Sequence, residues 1–156
     1  MIMSDTCITH IEDHWKALTE VSNDFFEKGD FESALSGYKN ALYRAEVLNN
    51  HFSDCLDLEI PFIQVYMISC NNLANTYDEL GQQDEAGKML LRGVHYLLHL
   101  SGMERIDQQD IHHELKRAVL SLLSYTEKNG GQQKQEKLLA GLKALLIERQ
   151  LIKINS

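Results

Sequence analysis

The chain has 156 residues, of which 44% are hydrophobic and only one is proline, which suits a folded, helix-rich domain and excludes a disordered segment. Twenty-three acidic residues against 15 basic ones give a formal charge of −8, so no dense cationic face for nucleic acid is expected. Three scattered cysteines, Cys7, Cys55 and Cys70, form no Cys-x-x-Cys pair and read as reduced thiols. No apolar run approaches the ~18 residues of a membrane span, and "MIMSDTCITHIEDHWK" lacks the pattern of a secretory signal. The expectation is a soluble, cytoplasmic chain without a membrane association.

The predicted elements follow in order. A first helix covers about 9–28 and a second about 31–49, separated by Gly29. The polar stretch "NNHFSDCLD" reads as a loop. A third helix begins near Pro61, a residue suited to a first helical turn, and ends near Leu80. The fourth covers about 84–100 and stops at Ser101-Gly102. A fifth is expected over about 108–128 and a sixth over about 132–152, with Gly130-Gly131 as the turn between them. The fold class is therefore all-α: three antiparallel helical hairpins in one domain over residues 1–156.

The hairpins repeat. Displacing "FFEKGDFESALSGYKNAL" by 52 residues lays it on "YDELGQQDEAGKMLLRGV". Phe25 falls on Tyr77, Gly29 on Gly81, Ala34 on Ala86 and Tyr38 on Leu90, while Val21-Ser22 falls on Leu73-Ala74. Small residues meet small ones and large apolar residues meet large ones, as interlocking helices require. The repeats are placed at about 9–50, about 61–100 and, in degenerate form, about 108–152; Gly130-Gly131 lie 49 and 50 residues beyond Gly81.

Val21-Ser22-x-x-Phe25 with Ala34-x-x-x-Tyr38, and Leu73-Ala74-x-x-Tyr77 with Ala86-x-x-x-Leu90, resemble the Leu-Gly-x-x-Tyr and Ala-x-x-x-Phe parts of the tetratricopeptide repeat. The chain departs from that pattern in three ways. Leu18 and Cys70 occupy the tryptophan position, the closing proline is absent, and the spacing is 52 rather than ~34. Longer helices around a short loop would account for the difference. The resemblance implies a short α-solenoid that binds a peptide or protein on a concave face lined by the first helix of each hairpin. On that face it places Lys16, Thr19, Asn23, Phe26 and Glu27 from the first unit, and Asn71, Asn72, Asn75 and Asp78 from the second. Asparagine offers both donor and acceptor to an extended backbone; the plainer reading is a solvated helix face. One branch of the family clamps C-terminal carboxylates with two asparagines and cations. Asn23 and Asn72 match its asparagines, but Thr19 replaces the first lysine, and Leu120 and Ser124 stand where cations are wanted.

No phosphate loop, nucleophile elbow or zinc-protease helix occurs, so no enzyme and no cofactor are expected. His10 and His14, and His95 and His99, are spaced to share a helix face, with His112 and His113 across the next break. The reading is no metal, with His95, His99 and His112 as the candidates if a third ligand converges. On the last helix, Leu138, Leu139, Leu142, Leu145, Leu146 and Ile152 form one stripe, and Ile147, Leu151 and Ile154 form a second on the opposite side. A second apolar face on a terminal repeat points to a covered surface, such as a homodimer contact. The leading function is a non-enzymatic interaction module with a peptide or protein partner; a chaperone for a secreted or assembling client and a helical metal- or ligand-binding protein are the alternatives.

Overall fold

Ser4 opens the first helix, α1 (Asp5–Glu27), by accepting a hydrogen bond from the Cys7 amide at 3.2 Å. A computed structural model describes the backbone of residues 3–148, and all regular structure within them is helical. The chain continues through α2 (Phe31–Asn50), α3 (Phe52–Asp57), α4 (Phe62–Glu79), α5 (Gln83–Leu100) and α6 (Gln108–Glu148). It forms two compact units, one up to Met89 and one from Leu90 onward.

In the first unit α1 packs along α2, and α2 along α4. The two expected turns have the same construction. Gly29 has φ +80° and donates to the Phe26 carbonyl at 3.0 Å, while Asp30 donates to Phe25 at 2.9 Å. Fifty-two residues later Gly81, at φ +74°, donates to Asp78 at 3.0 Å, and Gln82 donates to Tyr77 at 2.9 Å. This paired bonding satisfies carbonyls that a helix end leaves without partners, and it requires a left-handed residue at the glycine. The next helix starts at once: Ala34 donates to the Asp30 carbonyl and Ala86 to that of Gln82. The Asp30 side chain also caps the Ser33 amide.

Packing follows the large-on-small pattern. Ala34, Ala41 and Ala45 are buried on α2 beside Leu35, Tyr38, Leu42 and Leu48. α1 and α2 approach closely at Ser22 and Gly37, where a β-carbon on Gly37 would lie 2.0 Å from Ser22 Oγ and 3.2 Å from its Cβ. Ser22 Oγ is itself tied to the Leu18 carbonyl at 2.7 Å. Trp15, the chain's single tryptophan, donates its indole N–H to Ser69 Oγ at 2.8 Å, joining α1 to α4 in a buried bond.

Two elements differ from expectation. The stretch read as a loop contains α3, whose Phe52, Cys55 and Leu56 recur at helical spacing; Cys55 is fully buried and donates to the Leu48 carbonyl. The third hairpin is not formed. α6 runs without a break through Gly130-Gly131 to Glu148. Among the described residues only Gly29, Gly81 and Gly102 are glycines with positive φ. A glycine permits a turn without compelling one. Two helical glycines cost about 2 kcal/mol together relative to alanine, and the flanking Gln, Lys, Glu and Leu residues are good helix formers. No Ser, Thr, Asp or Asn follows them to cap a new helix, and Asn129 bonds back to the Tyr125 carbonyl at 3.0 Å within the same helix.

In the second unit Ile111, Leu115, Leu122 and Thr126 form one buried stripe on α6. The loop before it is held by Gln108, whose Oε1 accepts from Gly102 N–H at 2.8 Å and whose Nε2 donates to Met103 and Ile106 carbonyls.

Two stability outcomes follow. Gly37→Ala is expected to cost about 1–3 kcal/mol through overpacking, and Ser22→Ala in the same chain should recover most of it by removing the 2.0 Å contact; urea denaturation of the four-member cycle reads this coupling. Ser69→Ala strands the buried Trp15 N–H and should cost about 1–3 kcal/mol, read by the tryptophan fluorescence of the unfolding transition.

Candidate interaction cleft

Beside the Ser22–Gly37 contact the chain opens a small cleft of about 170 Å³, lined by Asn23, Phe26 and Glu27 of α1, Tyr38 of α2, and Asn72 and Asn75 of α4. The one-residue offset explains the geometry. Ser22 and Gly37 bring the helices together, and the residues after each, Asn23 and Tyr38, meet at the edge, where the Tyr38 hydroxyl donates to Asn23 Oδ1. Phe26 is held edge-on to Phe31, with ring centroids 5.0 Å apart at 72°, which fixes the apolar wall.

The cleft is polar and carries one charge. Burial first, and the Glu27 carboxylate second, raise the Tyr38 phenol above its ordinary pKa of 10.0. Among the described residues no lysine, arginine or histidine lines it. Lys39, next to Tyr38 in sequence, lies instead over the Tyr77 ring, 5.8 Å from its centroid. The volume is below the ~300 Å³ at which small-molecule pockets begin, so the cleft admits a side chain or a stretch of backbone rather than a cofactor.

Asn23, Phe26, Glu27, Asn72 and Asn75, named from the sequence, therefore come together. Other expected residues do not join them. Thr19 is buried, and its hydroxyl has no hydrogen-bond partner in the structure; α1's packing, not a ligand, covers it. Lys16 is exposed and sits 3.9 Å from Glu12, and Asn71 is exposed outside the cleft lining. Tyr38 is the residue that sequence reasoning assigned to packing alone. The signal was present: the repeat pattern asks for an aromatic there, and tyrosine rather than phenylalanine brings a hydroxyl.

The remaining candidates separate from one another. His95, His99 and His112 are exposed, and among the described residues no three His, Cys, Asp or Glu side chains converge on a metal position. Ile147 is half-buried; Leu151, Ile152 and Ile154, and the side chain of Leu146, lie outside the described residues. Of the opposite stripe, Leu142 is buried while Leu139 is 47% exposed. Cys7, Cys55 and Cys70 form no disulfide with one another. Among the described residues no helix is long and apolar enough to cross a membrane.

These features define an all-α protein whose first unit carries a polar cleft across three helices. A family model described as protein of unknown function (DUF2753) matches residues 13–151, and the chain belongs to that family. No curated protein and no solved structure matches it.

Tyr38 and Cys55 each make stability depend on alkaline pH. Burial, then Asp54 and Glu12, push the Cys55 thiol up to about 11 from 9.0. Both groups keep their protons in the folded chain at a pH where the unfolded chain releases them. Their contribution is thus complete below the unfolded pKa and is lost as pH rises through the folded one. Stability is expected to fall between about pH 9 and 11, and Cys55→Ser and Tyr38→Phe should each flatten that fall, measured by urea midpoints across the range.

Proposed function

We propose that the chain is a non-enzymatic interaction module that holds an extended segment of a partner protein in the α1–α2–α4 cleft. The observation that carries this reading is the convergence of Asn23, Asn72 and Asn75 with Tyr38, Glu27 and Phe26 around one opening. Three carboxamides supply paired donors and acceptors suited to peptide groups, and Phe26 supplies an apolar contact. The likeness of the two Schellman-type turns, 52 residues apart, supports the resemblance to the tetratricopeptide repeat. Three scattered cysteines, odd in number and without a Cys-x-x-Cys pair, support a reducing, cytoplasmic setting.

Binding of a terminal carboxylate is disfavoured here. Such a ligand needs cations, whereas the lining charge is Glu27 and the first lysine position is a buried threonine. The segment suited to the cleft is neutral or basic.

A display library of random twelve-residue peptides, selected on the full chain, tests the reading. Selected peptides are expected to bind with Asn23→Ala and Asn72→Ala weakening them about tenfold each, with circular dichroism unchanged. Binding that neither substitution alters would remove the cleft from the interaction.

A further inference from the structure

α1 borders a second groove on its other side. Residues 14 and 23 are nine positions apart, and at about 100° per residue that is two and a half turns. The second groove has a volume of about 410 Å³ and is lined by His10, Ile11 and His14 of α1 with Arg44 and Val47 of α2.

Its polar groups are tied together across 30 residues of sequence. Arg44 Nε donates to His14 Nδ1 at 3.2 Å. That bond makes Nδ1 the acceptor and leaves the ring proton on Nε2, available to a ligand. Arg44 is half-buried, and among the described residues no carboxylate pairs with it; its other contact is the Tyr43 ring, 5.4 Å away. In a chain with 23 acidic and 15 basic residues, a half-buried guanidinium that pairs with no carboxylate among the described residues is open to an anionic group. His10 stands one helical turn from His14 and adds a further ring nitrogen. Asp13 lines an adjoining depression with Asp5, Thr6 and Thr9, which shares His10 with this groove.

The rest of the lining, Ile11 and Val47, is apolar. A matching ligand thus joins an anionic head to an apolar body. Size decides what carries it. The volume of about 410 Å³ lies within the ~300–1,000 Å³ of small-molecule sites. We propose that this groove binds a small amphipathic carboxylate, its head on Arg44 and His14 and its alkyl chain along Ile11 and Val47.

Calorimetric titration of the full chain with sodium octanoate at pH 7 tests this, with acetate and octylamine as comparison ligands. Octanoate is expected to bind saturably with one site, acetate at least tenfold more weakly, and octylamine not at all. Arg44→Met keeps the apolar stem and removes the charge, and should weaken octanoate at least tenfold; His14→Phe provides the same test should the first variant fail to fold. Asn23→Ala should leave octanoate binding unchanged, since the cleft lies on the far side of α1. No saturable octanoate binding, equal binding of octylamine or acetate, or full octanoate affinity in a folded Arg44→Met or His14→Phe chain would each overturn the proposal.

Discussion

The contact between Ser22 and Gly37 sets the distance between α1 and α2, and much of the first unit depends on it. At that point one helix presents a hydroxymethyl group and the other presents no side chain, so the backbones come as close as the Ser22 oxygen allows. Helices that approach at small residues fix their neighbours' positions tightly, because interiors have little free volume to absorb a shift. Tyr38 follows Gly37 and Asn23 follows Ser22, so the scaffold contact and the Tyr38–Asn23 hydrogen bond are consecutive steps along the same two helices. α4 is then held across α1 by the Trp15–Ser69 bond, which brings Asn72 and Asn75 to the cleft on the same face.

The two grooves beside α1 differ in charge and in composition. The cleft combines carboxamides, a phenol and a carboxylate; the groove opposite combines a guanidinium, two imidazoles and aliphatic side chains. A chain of net charge −8 thus places one of its 15 basic side chains where α2 passes α1. One helix separates a cleft that carries a carboxylate from a groove that carries a guanidinium, and α1's length of 23 residues sets them on different turns as well as different faces.

Much of this organisation was legible in the sequence. Gly29 and Gly81 were recognisable as turn glycines because each ends an apolar pattern and precedes a polar start, and both hold the left-handed conformation. The resemblance to the tetratricopeptide repeat assigned Asn23, Phe26, Asn72 and Asn75 to one face, and they line one cleft, whereas Lys16, Thr19 and Asn71, assigned with them, do not. Gly130-Gly131 misled for a related reason: their spacing imitates the earlier turns, while the surrounding residues lack a cap and favour continued helix. α3 was hidden in a stretch of polar composition, where only three apolar positions mark its buried side.

The sequence by itself determined α1, α2, α4 and α5 and the turns at Gly29 and Gly81, since these depend on local propensity and on spacing within a few turns. Only the tertiary structure decided that Thr19 is buried while Asn23, one turn later, lines the cleft, that the Tyr38 hydroxyl reaches Asn23, and that Arg44 meets His14. Those outcomes depend on where one helix crosses another. That crossing is fixed by packing between residues 15 to 54 positions apart, a distance over which local periodicity carries no information.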